Sequence, residues 1–135
     1  MIVIDATNLI LGRMATYAAK QALLGQDVRI VNVEKAVISG TRAKVIEKIH
    51  TDMLRGTPAK GPFITRQPDR YVRRVVRGML PYKQPKGADA YKRVLCYKGL
   101  PTEFKDIKPL ELKDCSTSKL TTLKYVTVEE ALKFS

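Results

Sequence analysis

Short apolar runs and one helical pattern alternate at the beginning of the chain. Residues 1–5 contain a continuous apolar run, Ile2 to Ile4, as strands buried on both faces do, and a second apolar strand is expected from Val28, Ile30, Val31 and Val33. Between them, apolar side chains recur at helical spacing from Leu11, with Asn8 placed to cap the helix and Gly25 placed to end it in a left-handed conformation. A strand, a helix and a strand within about thirty residues predict a βαβ unit with parallel strands.

The middle of the chain predicts three more helices and another strand. An amphipathic helix is expected at residues 41–55. Residues 56–68 are rich in glycine and proline and predict a loop. A second amphipathic helix follows at residues 68–80, and a shorter one at residues 88–93 leads into a buried strand at residues 94–97.

Beyond that strand the hydrophobic pattern weakens and predicts an extended segment laid over the domain. A short strand is expected at residues 125–126, and Thr127 begins a T-x-x-E capping box for a final helix at residues 128–134. We therefore predict a single domain for the whole chain of 135 residues. Residues 1–104 would form its core, and residues 105–135 a C-terminal extension with a final short helix.

The helix predicted at residues 68–80 carries arginine on one face and apolar side chains on the other. A solvated surface with ion pairs is the alternative explanation of such a face. From Arg55 to Lys86, however, nine lysine or arginine residues accompany one acid, Asp69. Because unpaired like charges repel one another, an external polyanion would best supply the countercharge.

The distribution of charge strengthens this expectation. The formal net charge is +12, but residues 1–41 contribute +1, residues 42–98 contribute +11 and residues 99–135 contribute none of it. A membrane surface also attracts basic segments, but no lipid-facing apolar helix, membrane-spanning run or secretory leader is recognisable. The composition therefore favours a cytoplasmic protein that binds nucleic acid.

Basic residues of the middle segment are the candidate RNA-binding residues, since guanidinium groups pair with phosphate and stack on bases. They are Arg55, Lys60, Arg66, Arg70, Arg73, Arg74, Arg77, Lys83, Lys86, Lys92, Arg93 and Lys98.

Two nearby residues have open interpretations. Phe63, in the basic loop, either stacks on a base or packs into the core. Gly78 costs about 1 kcal/mol relative to alanine inside a helix, which suggests that another protein element or a nucleic-acid backbone comes close to it.

Signals for catalysis and cofactors are weak. No glycine-rich phosphate loop follows the first strand, and Asp5 is expected to cap a turn. His50 is the only histidine, and Cys96 and Cys115 are expected to be reduced thiols. We expect no enzyme, metal, cofactor or small-molecule substrate; a DNA- or tRNA-binding regulator remains the main alternative, although the arginine face lacks base-reading Asn, Gln or Ser.

Several stretches together resemble one protein family. DATNLILGRMAT, GQDVRIVNVEKAVISG, RGMLPYK and VLCYKGLPTEF occur in the order found in the universal large-subunit ribosomal protein thirteen family, in its shorter archaeal and eukaryotic form. The resemblance spans residues 4–104.

The resemblance implies a fold and a role. The fold would be α/β: three layers, α/β/α, around a small, mainly parallel sheet of about four strands, Rossmann-like, with the basic helix and loops on one side. The role would be structural and not catalytic: to bind large-subunit (23S-type) rRNA and neighbouring ribosomal proteins on the cytoplasmic ribosome and to assist subunit assembly. The resemblance assigns no role to the segment after Phe104.

Overall fold

A computed structural model describes residues 1–134 and contains a parallel sheet of three strands. These are β1 (Ile2–Asp5), β2 (Val28–Val31) and, across the sheet from β1, the strand Val94–Cys96. Ile4 lies beside Ile30, and Ile30 lies beside Cys96. The predicted βαβ unit is confirmed, because helix α1 (Leu11–Leu23) connects β1 to the parallel β2.

The remaining elements follow in chain order. They are β3 (Val37–Ser39), α2 (Arg42–Leu54), α3 (Pro68–Gly78), α4 (Pro85–Arg93), β4 (the strand Val94–Cys96), β5 (Tyr125–Thr127) and α5 (Val128–Phe134). Short 3-10 turns lie at Val33–Lys35, Thr102–Phe104, Lys113–Cys115 and Thr117–Lys119. The α/β class is confirmed.

The sheet arrangement differs from the expected one of about four strands. β3 pairs with β5 in a separate antiparallel ribbon, so the parallel sheet keeps three strands. At its β1 edge, the Leu110 amide donates a hydrogen bond of 2.8 Å to the Val3 carbonyl, and Leu110 forms a parallel bridge with Ile4. The extended segment thus covers this edge strand at one point, as the sequence predicts, without adding a full strand.

The two faces of the parallel sheet are covered differently. Ile4 and Ile30 join the main core, which also contains residues of all five helices. Val3 and Val31 lie on the other face, because successive side chains of a strand alternate. They pack with Phe104 of a 3-10 turn, and no α-helical residue of the described chain belongs to this smaller buried cluster.

The starts of α1 and α4 differ from the predicted ones, whereas the start of α5 agrees with its prediction. Asn8 does not cap α1: it has a left-handed φ of 59°, and Ile10 is the N-cap residue. α4 begins at Pro85, three residues earlier than predicted, because proline suits the first helical position. The cap of α5 is confirmed, since the Glu130 amide donates to Thr127 Oγ1 at 3.3 Å.

The chain's last strand and helix complete the main core. Val126 is 2% exposed, Val128 and Ala131 are 0% exposed, and Leu132 is 2% exposed. The Glu130 carboxylate lies 2.7 Å from Arg42 Nη1 and so joins α5 to α2.

Candidate nucleic-acid interface

The four arginines on one face of α3 differ in their exposure. Arg70 and Arg74 are exposed, whereas Arg73 and Arg77 are partly buried. Helix α3 itself forms as predicted, with Pro68 at its first position and Val72 and Val76 fully buried beneath it. Packing of this apolar face fixes the direction in which Arg70 and Arg74 project.

Arg73 bonds to the junction between α4 and β4. Its Nε donates to the Val94 carbonyl at 2.8 Å, and its Nη2 donates to the Tyr91 carbonyl at 3.2 Å. The guanidinium carbon also lies 4.1 Å from the centroid of the Tyr91 ring. Arg73 is therefore already bonded to backbone within the fold, and its contact with RNA stays a prediction.

Arg77 packs on an aromatic ring. Its guanidinium carbon lies 4.9 Å from the centroid of the Tyr82 ring, and its Nε is buried without a hydrogen-bond partner among the described residues. Adjacent Gly78 faces open space, since an added Cβ would meet no atom within 4 Å. No other element of the described chain therefore fills the position that a side chain would take at Gly78.

Arg74 connects α3 to the basic loop of residues 55–67. Its Nη1 donates to the Phe63 carbonyl at 2.7 Å. The Phe63 side chain is 65% exposed, so packing of this residue into the core, one of the two interpretations, is wrong. Lys60 and Arg66 are also exposed on this loop.

Arg93 has an internal role that its sequence position does not indicate. Its Nη1 donates to the Ala22 carbonyl in the last turn of α1 at 3.0 Å. A cation suits this position, because the carbonyls at a helix C-terminus carry partial negative charge. The Arg93 carbonyl in turn accepts from Arg29 Nη1 at 2.9 Å.

The other candidate residues differ in their partners. Arg55 lies 3.6 Å from Asp52, and Lys92 lies 4.0 Å from Asp89, both in exposed pairs that contribute little to stability. Lys83, Lys86 and Lys98 are exposed.

Folding brings some candidates together and adds one that the sequence missed. Arg66 and Lys98 line one surface depression, together with Lys133 of α5. Lys133 follows two glutamates in a segment with no net charge, so composition gave no signal for it. Only the fold places it beside the basic segment.

Asp5, at the end of β1 and outside this face, is held by hydrogen bonds within the fold. The Asp5 carboxylate accepts from the Thr7 amide at 3.0 Å, from Thr7 Oγ1 at 2.7 Å and from Asn32 Nδ2 at 3.2 Å. Burial alone would raise the Asp5 pKa, but these hydrogen bonds and nearby Lys35 lower it below its ordinary value. The role expected for Asp5, capping a turn, is confirmed.

The cysteines and the membrane question add no further chemistry. Cys96 and Cys115 are free thiols, and burial raises the pKa of Cys96 to about 12, outweighing the opposite effect of Arg73. Within residues 1–134, no group of three or more His, Cys, Asp or Glu residues is placed to hold a metal ion. No helix in that range is both long and apolar enough to cross a membrane.

Comparison with known proteins points to one family. The family model of ribosomal protein L13 matches residues 1–103. A large ribosomal subunit protein uL13 from Methanosarcina barkeri is 45% identical over 131 residues, covering 96% of this chain and 94% of its own length. The proteins of the same name from Methanococcoides burtonii and Methanopyrus kandleri are each 44% identical, over 95% of this chain and over 92% and 82% of their own lengths.

Proposed function

The chain belongs to the ribosomal protein L13 family, and from that premise we propose that it binds folded large-subunit rRNA through its exposed basic residues. Its role is that of a structural constituent of the large ribosomal subunit in the cytoplasm, in contact with neighbouring ribosomal proteins, and not that of an enzyme. Because the chain belongs to this family, we prefer a ribosomal role to the alternative of a DNA- or tRNA-binding regulator.

One observation supports the RNA-binding proposal above all. Lys60, Arg66 and Arg70 are exposed, and none of them forms an ion pair with a carboxylate of the described residues. Arg70 lies on helix α3, Arg66 lies just before that helix, and Lys60 lies in the hydrogen-bonded turn of the preceding loop. An external polyanion could therefore pair with these positive charges without first breaking contacts inside the protein.

Phosphate contacts and RNA shape would provide most of the recognition. Paired RNA hides its base edges in a deep and narrow groove, so proteins read its backbone and its unpaired regions. The arginines held inside the fold would act indirectly. Arg73 and Arg93 stabilise the junctions of α3, α4 and α1, which keeps Arg70 and Arg74 in place.

The proposal is tested by removing charge from exposed side chains that make no hydrogen bond within the described residues. The variant Lys60→Gln/Arg66→Gln/Arg70→Gln/Lys83→Gln removes four positive charges from the proposed interface. A matched control removes four from exposed positions of the C-terminal segment, which has no net charge. The control substitutions are Lys105→Gln, Lys108→Gln, Lys113→Gln and Lys119→Gln.

Binding of a large-subunit rRNA fragment is measured by filter retention over a range of salt concentrations. We expect the interface variant to bind more weakly and to show a shallower salt dependence, by a little under one logarithmic unit of slope for each phosphate that the variant no longer neutralises. The control should bind as the unchanged protein does. Equal affinity and slope in both variants, with circular dichroism showing that both are folded, would refute the assignment.

We also propose that residues 105–135 belong to the same folding unit as the predicted core of residues 1–104. Val126, Val128 and Leu132 pack in the cluster that contains the sheet residue Ile4, which supports this proposal. Truncation after Phe104 should abolish the cooperative thermal transition. A truncated chain that melts cooperatively near the temperature of the full chain would instead favour an independent core and a dispensable extension.

A further inference from the structure

Phe63 is an exposed aromatic residue in a segment without acidic side chains. Its side chain is 65% exposed, and residues 55–67 contain Arg55, Lys60 and Arg66 but no Asp or Glu. Water is a poor environment for a benzyl group, so an exposed phenylalanine at a binding surface suggests a ligand with an apolar face.

The backbone that carries Phe63 is held at two places. Arg74 donates to the Phe63 carbonyl at 2.7 Å, which fixes the loop to α3. Upstream, Thr57 and Gly61 exchange amide hydrogen bonds of 3.3 and 2.8 Å. Gly56 closes this turn so tightly that a Cβ there would lie 1.9 Å from the Gly61 carbonyl oxygen. The loop is therefore ordered before any ligand binds, and less conformational entropy is lost on binding.

The ring of Phe63 is also held in place, by contact with the backbone of the same loop. One edge of it lies against Gly61, where an added Cβ would be 3.0 Å from two adjacent ring carbons. Gly61 has a φ of 77°, a conformation that favours glycine over residues with a side chain. Glycine at this position thus leaves room for the ring edge, while most of the ring stays exposed.

The charges around Phe63 indicate which ligand it contacts. Lysine is depleted at protein–protein interfaces, whereas Lys60 is exposed on the same loop as Phe63, three residues before it, and Arg66 three residues after it. Aromatic side chains beside basic residues are typical of sites that bind unpaired nucleotides, where the cations contact phosphate and the ring stacks on a base. We propose that Phe63 stacks on an unpaired base of the bound rRNA, an inference that rests on the proposed RNA-binding function.

The chain offers a direct optical test because it contains no tryptophan. In Phe63→Trp, the indole is the only tryptophan fluorophore, and stacking on a base should quench its emission when the rRNA fragment is added. Tyr125→Trp is the matched control, since Tyr125 is 43% exposed and lies on β5, in the C-terminal segment that has no net charge. Its emission should change little under the same conditions.

Affinity provides the second readout. Loss of one base–aromatic stack lowers affinity by about 5- to 150-fold in comparable sites, so Phe63→Leu should bind the rRNA fragment at least about fivefold more weakly. Phe63→Tyr, which keeps a stacking ring, should bind nearly as well as the unchanged protein. Circular dichroism shows whether the variants remain folded.

The outcomes separate this inference from the proposed function. If Phe63→Trp binds RNA without quenching and Phe63→Leu keeps full affinity, the stacking proposal is wrong and RNA binding stands. An emission that becomes brighter and blue-shifted only when the intact subunit is present would instead mean that Phe63 docks against a protein. Failure of the unchanged protein to bind the fragment overturns both proposals.

Discussion

Arg70 and Arg73 lie three residues apart on the same helix, yet the structure predicts that replacing each with glutamine changes the stability of the protein by very different amounts. Arg70 is exposed, and Arg70→Gln should change the free energy of unfolding by no more than about 0.5 kcal/mol. Arg73 bonds to the Val94 and Tyr91 carbonyls and packs on the Tyr91 ring. Arg73→Gln should therefore destabilise the protein.

The size of this effect follows from the contacts. A hydrogen bond to a charged group contributes about 1.5–3 kcal/mol when buried, and a cation–π contact about 0.5–1 kcal/mol at an exposed site. Because Arg73 is only partly buried and glutamine can keep one donor, we expect a loss of about 2 kcal/mol. For a domain of this size, that loss lowers the melting temperature by roughly 6–10 °C.

Urea denaturation followed by circular dichroism gives the free energy of unfolding of both variants, with unchanged slopes showing that the unfolding transitions are comparable, and a thermal scan gives their melting temperatures. RNA affinity, measured at a temperature where both variants are folded, should fall more for Arg70→Gln than for Arg73→Gln. Equal stabilities for the two variants would show that the Arg73 hydrogen bonds do not hold α3 to β4. A larger loss of RNA affinity for Arg73→Gln would instead support the prediction that Arg73 contacts RNA directly.

Three further substitutions test local features. Gly78→Ala should stabilise the free protein by up to about 1 kcal/mol in urea denaturation, because the added Cβ would meet no atom within 4 Å. Weaker rRNA binding despite this gain would show that RNA comes close to Gly78. Lower stability of the variant would contradict the open space around this position. Gly87→Ala should cost about 2 kcal/mol or more, because its Cβ would lie 1.9 Å from the Pro81 carbonyl oxygen, and an unchanged melting temperature would contradict this packing. Asp5→Asn should destabilise the protein at neutral pH but not in acid, because a lowered carboxyl pKa contributes stability that is lost as the pH falls below the ordinary value of 3.8. If the variant is less stable than the unchanged protein by the same free energy at both pH values, the Asp5 charge does not contribute to stability.

Elements with their own local pattern were predictable from the sequence. The amphipathic period of α3 and its starting Pro68 placed that helix correctly, and the capping box at Thr127 placed α5. The antiparallel ribbon was missed because β3 has three residues and exists through pairing with β5, which lies far along the chain. A three-residue strand gives too few positions for a period to be recognised.

The candidate site divides in the same way. Composition located the basic segment but could not show which arginines bond internally, because the acceptors of Arg73 and Arg93 belong to other elements. Exposure of Phe63 was likewise undecided, since a loop sequence does not state which way its apolar side chain points. Lys133 joins the surface only through tertiary packing.

Completion of the core by β5 and α5 has a consequence for synthesis. A growing chain that already contains the sheet and α3 still lacks Val126, Val128 and Leu132, so its main core stays open until these residues emerge. During that interval the most basic segment, residues 42–98, is translated but not yet held in its final arrangement. Nascent chains of this kind are exposed to premature contact with RNA and to aggregation, and a chaperone that covers the basic segment would act most usefully before α5 appears.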